Sequence, residues 1–181
     1  SRTPTTTGAP LSTTLISTNV TDAVVGDMVL TNYAHLAVGT NATLSVLGNW
    51  NNVATTPGWT NIWGQGTVEL AGTDAATVQG GNTWFNLVIT NAGKVVSFET
   101  NKTQFVYGTP DFGNNVTLKS TWNGEWWYLL KPGSGTQPVG VVQVRDSNAT
   151  NGMTFAASGG NNLLNNVNWT FPAKGTVLLL R

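Results

Sequence analysis

Eight carboxylates, one histidine and eight tryptophans are the side chains of this 181-residue sequence whose types could carry chemistry. The carboxylates are Asp22, Asp27, Glu69, Asp74, Glu99, Asp111, Glu125 and Asp146, and no two stand at a spacing that forces them together. A coiled chain could still align Glu69, Glu99 and Asp146 across successive turns, where they would hold calcium or divide acid and base roles on a polysaccharide. The Arg and Lys neighbours of such sites are lacking, so no catalytic residue and no metal ligand is assigned, and the chain is read as no enzyme. His35 is the only histidine, which excludes a histidine dyad or histidine metal cluster within one chain. Cysteine is absent, and thiolate metal sites and disulfides are excluded with it. No cofactor is expected.

The aromatic set says more. The tryptophans are Trp50, Trp59, Trp63, Trp84, Trp122, Trp126, Trp127 and Trp169. An indole left in solvent can stack on a sugar ring, and Trp59, Trp63 and Trp126 are the candidates for glycan stacking; most of the others belong in a core. In Glu125-Trp126-Trp127-Tyr128 the two-residue period of a strand puts Trp126 and Tyr128 on one side and Trp127 on the other. Asn-x-Thr triplets begin at Asn19, Asn41, Asn101, Asn115, Asn148 and Asn168, which makes these six acceptors for N-glycosylation in an organism that glycosylates. With Asn and Thr so frequent, several such triplets arise by chance, and Asn-rich turns have the alternative role of stacking as hydrogen-bonded ladders.

Positioning these residues falls to β structure. Apolar residues alternate in Thr67-Val68-Glu69-Leu70, in Phe85 to Ile89 and in Val139 to Val144, bounded by Gly80-Gly81, Asn114-Asn115, Gly159-Gly160 and Asn165-Asn166. No dozen-residue window carries a helical stripe, and 21 glycines oppose helix on propensity. Strand-like runs around Leu44, Val68, Leu87, Val116 and Val141 recur at roughly 20 to 25 residues, within the range of solenoid repeats. The fold class is all-β, a right-handed parallel β-helix, with a β-sandwich as the alternative. At about 20 residues per coil and about 4.8 Å between strands, the chain would make roughly eight or nine coils in a rod of about 40 Å.

Charged residues are only 9% of the chain, against roughly 25% in an average soluble protein, and the eight cations cancel the eight anions. Arg2, Lys94, Lys102, Lys119, Lys131, Arg145, Lys174 and Arg181 are scattered singly, so nucleic acid is not an expected partner. Val177 to Leu180, the longest apolar run near an end, is far short of the ~20 residues of a membrane span. The chain starts at Ser1 without a signal-like segment and is expected to be a mature product after signal-peptide removal, extracellular or at a cell surface.

Two stretches, Gly66 to Thr100 and Val116 to Phe171, go beyond pattern. Their pieces are the GTVELAG turn at 66–72, the WFNLVITNAGKVVSF run at 84–98, the VQVRDSNA run at 142–149 and the NNVNW close at 165–169. In this order they resemble the right-handed parallel β-helix modules of long bacterial surface and adhesin-like proteins, over about three fifths of the chain. The resemblance implies an extended scaffold or adhesive stalk without shared catalytic residues, places Trp127 in the interior and leaves Trp126 as the extra aromatic. The close at Leu163-Leu164 departs from the family pattern in being more apolar.

The expected organisation is an N-terminal extension and candidate donor or capping strand at 1–20, a β-helix domain at 21–174 and a C-terminal strand at 175–181. An uncapped solenoid end templates pairing with another chain. Leu11, Leu15, Ile16 and Val20 at one end, with Val177, Leu178, Leu179 and Leu180 at the other, are therefore the candidate assembly interfaces. Copies of the chain itself are the first expected partner, in a self-assembling extracellular fibre or surface layer, and surface glycans are the second, bound by an adhesin module. A polysaccharide lyase or hydrolase ranks below both.

Overall fold

The structure is a computed structural model that describes residues 13–16, 23–31, 35–53 and 62–173. Strand pairings among them are parallel, and no helix occurs among the described residues. Residues whose side chains alternate inward and outward, interrupted by Gly or Asn, wind into a β-solenoid of about six turns with three faces.

The first face carries β1 (Thr13–Ile16), β4 (His35–Val38) and β7 (Ile62–Trp63) in one sheet, then β10 (Asn82–Trp84), β13 (Thr103–Val106), β16 (Trp127–Leu130) and β18 (Ser147–Asn148) in the next. On the second face lie β2 (Ala23–Val25), β5 (Thr43–Val46), β8 (Thr67–Leu70), β11 (Asn86–Ile89) and β14 (Pro110–Phe112). The third face stacks β3 (Met28–Leu30), β6 (Trp50–Asn52), β9 (Ala76–Gln79), β12 (Val95–Phe98), β15 (Val116–Ser120), β17 (Thr136–Arg145), β19 (Thr154–Leu164) and β20 (Trp169–Thr170). From β1 to β16 chain order cycles through the three faces, and strands pair with strands one turn away.

Register turns the sequence alternation into interior rows. Leu44 lies over Val68 and Val68 over Leu87, while Val96 lies over Leu118 and Leu118 over Val144, all fully buried. Each such side chain removed from water contributes about 1.5–3 kcal/mol. Phe98 stacks on Trp127 at 4.1 Å, and Phe155, Trp169 and Phe171 continue a stack at the C-terminal end, with centroids 4.9 and 6.2 Å apart. One part of the interior is polar: Trp50 Nε1 and Asn52 Nδ2 donate to Asn82 Oδ1 at 2.8 and 3.0 Å, and Trp84 Nε1 and Asn82 Nδ2 donate to Gln104 Oε1 at 3.2 and 3.0 Å. Donors and acceptors match across coils, which removes the cost of burying amides.

Corners are made by residues that tolerate positive φ. Asn41, Asn101, Asn114, Asn115 and Asn168 have φ between 54° and 62°, a region that asparagine adopts more readily than other non-glycine residues. At Gly80, φ is +78° and a Cβ would sit 2.2 Å from Asn52 O, so the neighbouring coil leaves room for glycine alone.

Two expectations are corrected. The β-sandwich alternative fails because the pairings are parallel and solenoidal. The described residues make about six turns, against the eight or nine expected of the whole chain, and corners of unequal length contribute: the step is 18 from Thr136 to Thr154 but 28 from Trp50 to Val78. Leu11, Asn19, Val20, Trp59 and Val177 to Leu180 lie outside the described residues. Leu15 and Ile16 are on β1, paired with Ala37 and Val38 of β4.

Candidate functional site

The corner that follows the third face differs from the others in what it holds up. After β15, residues 121–126 form a loop before β16; one coil on, Arg145 and Asp146 turn the same corner, and 163–166 do so in the coil after that. Asp146, buried and at φ 55°, accepts the Gly124 N–H at 3.1 Å on Oδ2 and the Asn165 amide at 2.9 Å on Oδ1. Arg145 Nε lies 3.5 Å from Asp146 Oδ2, and its Nη2 donates to Asn123 Oδ1. The Trp126 indole N–H donates to Asn165 O at 3.1 Å, and the Trp122 N–H to Ser120 Oγ at 3.3 Å. The loop is thus tied to two further coils, yet Trp122 itself stands 71% exposed.

The other tryptophans are placed differently. Trp50, Trp84 and Trp127 are fully buried, and Trp127 donates its indole N–H to Arg145 O at 3.2 Å, directly beneath the corner. Trp126 and Trp169 are half-buried. Trp63 lies on β7, where its backbone pairs with Ala37. Of the three tryptophans singled out for glycan stacking, Trp126 alone has a described side chain, and its N–H is spent inside the protein. Trp122 was missed as a site residue; the signal was its place beside Asn123-Gly124, a turn dipeptide that takes it off any inward strand row.

Glu69, Glu99 and Asp146 do not converge. Glu69 is on β8 of the second face, where Ser45 Oγ donates to it at 3.3 Å. Glu99 sits at the corner after β12 and accepts the Gly80 N–H at 2.6 Å, while Asp146 is occupied as described. Among the described residues no three His, Cys, Asp or Glu side chains are grouped to hold a metal. His35 occupies the first position of β4.

Asparagine ladders run along the corner between the second and third faces. Asn91 donates to Ala71 O, Asn114 to Thr90 O, and the Asn49 and Thr77 N–H groups to the carboxamide or carboxylate one coil back, Asp27 and Asn49, at 2.6 and 2.9 Å. Lys94, fully buried at this corner, donates to Gly72 O and to Asp74 O, the latter at 2.9 Å. Desolvation holds its pKa below the ordinary 10.5, partly countered by the Asp74 charge. A shallow groove of about 320 Å³ opens nearby on the third face, lined by Asp27, Val29, Asn49, Asn51 and Gln79 among others.

Asn41, Asn101 and Asn115 are exposed at corners, each followed two residues on by the first or second residue of a strand. Asn148 and Asn168 are half-buried: Asn148 Oδ1 accepts from Thr150, and Asn168 Nδ2 donates to Ala149 O at 2.9 Å. At Asn41, Asn101, Asn115 and Asn168 the triplet is a left-handed asparagine followed by a threonine that enters a strand.

No helix among the described residues is long and apolar enough to cross a membrane. Among the described residues, the surface offers one exposed indole, that of Trp122, and exposed large apolar residues toward both ends and, at Tyr107 and Val141, between them. Comparison with protein-family models, with curated proteins and with solved structures returns no match.

Proposed function

We propose that the chain is a structural subunit of an extracellular self-assembling fibre or surface layer, joined by end-to-end β-stacking or strand exchange. The observation that carries this reading is where large apolar side chains are exposed. Val24, Val29, Leu47 and Val53 lie in the first two coils and Leu163, Leu164 and Val167 in the last, with Tyr107, Trp122 and Val141 between them. β2 (AVV) and β3 (MVL) are the outermost strands of their sheets, and neither carries the Lys or Pro that blunts an edge strand. Joining the last coil of one copy to the first of the next continues all three faces and is a heterologous contact that does not close, the geometry of a filament. The resemblance to bacterial surface modules agrees with this reading, and the candidate strands at 11–20 and 177–180 would supply the exchanged segment.

Sedimentation velocity tests it. Wild-type protein should form a concentration-dependent series of large species, and Val29→Lys, which places a charge on the edge strand at an exposed position, should shift it to the monomer without loss of β-sheet circular dichroism. Monomers alone for the wild type would remove the reading.

A second reading, a glycan-binding adhesin module, is favoured by the exposed indole of Trp122.

A further inference from the structure

We propose that Asn151–Gly152 is a site of spontaneous deamidation, and that the corner after the third face protects the other Asn-Gly pair, Asn123–Gly124, from the same reaction. The proposal goes beyond assembly and glycan binding and depends on neither.

Chemistry selects the two pairs. In this reaction the main-chain nitrogen that follows an asparagine attacks the carboxamide carbon of its side chain. The new N–C bond closes a five-membered succinimide, and the N–H proton ends, by way of solvent, on the leaving nitrogen, which departs as ammonia. Water then opens the ring at either carbonyl, giving aspartate or an isoaspartate whose main chain runs through the former side chain. A side chain on the following residue crowds the attack, and glycine has none. Of all the asparagines, Asn123 and Asn151 alone precede glycine.

The fold treats these pairs differently, although both asparagines are exposed. At Asn123 both reacting groups are engaged: the Gly124 N–H donates to Asp146 Oδ2 at 3.1 Å, and Arg145 Nη2 donates to Asn123 Oδ1. Attack there requires the amide to give up its proton beside a buried carboxylate, where the anion formed meets a like charge, and the carboxamide to turn off the guanidinium. In the turn between β18 and β19, neither the Asn151 carboxamide nor the Gly152 N–H has a hydrogen-bond partner among the described residues. A hydrogen bond to a charged group that must break first slows closure about tenfold or more.

The turn that reacts has no room for its product. The Met153 N–H donates to Lys131 O at 3.0 Å, and a Cβ at Gly152 would lie 2.6 Å from that same oxygen, so the turn rests on the residue that follows β16. Isoaspartate adds a methylene group to the main chain and a negative charge to a chain of zero formal net charge. It therefore displaces Met153 from Lys131 and loosens the start of β19.

Peptide mapping by mass spectrometry tests this on the full chain held at mildly alkaline pH, folded and in guanidinium chloride, with isoaspartate detected by enzymatic methylation. In the folded chain Asn151 should convert at least about tenfold faster than Asn123, and in denaturant the two rates should converge. Asp146→Ala, and to a smaller extent Arg145→Gln, should speed conversion at Asn123 and leave Asn151 at its wild-type rate. Conversion of Asn123 as fast as Asn151 in the folded chain, or a difference that persists in denaturant, would overturn the proposal. So would a folded chain in which neither pair converts while the denatured chain reacts at both. An Asn123 rate unchanged in both variants would overturn the protective role of the corner.

Discussion

Two corners of the solenoid use the same devices for different ends. Between the second and third faces, Asn91, Asn114 and Lys94 each reach one coil back to a main-chain carbonyl, and among the described residues Leu47 but no aromatic ring is left in solvent there. After the third face, Asp146, Arg145 and Asn165 reach across coils as well, but what they secure is a loop that presents Trp122. A stack of coils needs its corner carbonyls and N–H groups satisfied, and the first corner does that alone. What the second adds is an exposed aromatic, Trp122.

Breaking the floor under the second corner has the largest expected effect. Trp127→Ala removes the ring stacked on Phe98 and the donor to Arg145 O, and should cost about 3–5 kcal/mol in urea unfolding. Asp146→Ala leaves the Gly124 N–H and the Asn165 amide without their acceptor, for about 1–3 kcal/mol, and should speed hydrogen exchange at residues 121–126 more than elsewhere. Unchanged exchange there would erase the distinction between the corners.

At the first corner, Lys94→Met strips donors from Gly72 O and Asp74 O but also removes a buried charge, so a net loss of about 1 kcal/mol is expected at neutral pH. The pH dependence sharpens the comparison. Between the lowered pKa of folded Lys94 and the ordinary 10.5, the unfolded chain binds the extra proton, so the Lys94 contribution makes stability rise with pH through that window. Unfolding of the wild type and of Lys94→Met across alkaline pH should show the rise lost in the variant. Smallest of all is Trp122→Ala, which should change stability by no more than about 0.5 kcal/mol because its ring supports nothing.

Much of the fold was legible because the chain repeats its instructions locally. Alternation in Thr67–Leu70 and Asn86–Ile89 gives strands, Gly and Asn pairs give corners, and a spacing of some 20 residues gives coils. The turn count was overestimated because a corner's length depends on how it packs on the coil below: 80–81 needs two residues after β9, while 121–126 needs six after β15. The polar interior was not legible either. Asn52, Asn82 and Gln104 read as surface residues until the coils bring them to one another from more than 20 positions away. The exposed corner was hidden for the same reason, since the Trp126 bond to Asn165 spans 39 positions.

Electron microscopy of negatively stained full chain at near-physiological salt tests the assembly most directly. Six turns at about 4.8 Å predict filaments with an axial repeat near 30 Å, lost in Val29→Lys. Dispersed single particles at every concentration would contradict end-to-end stacking.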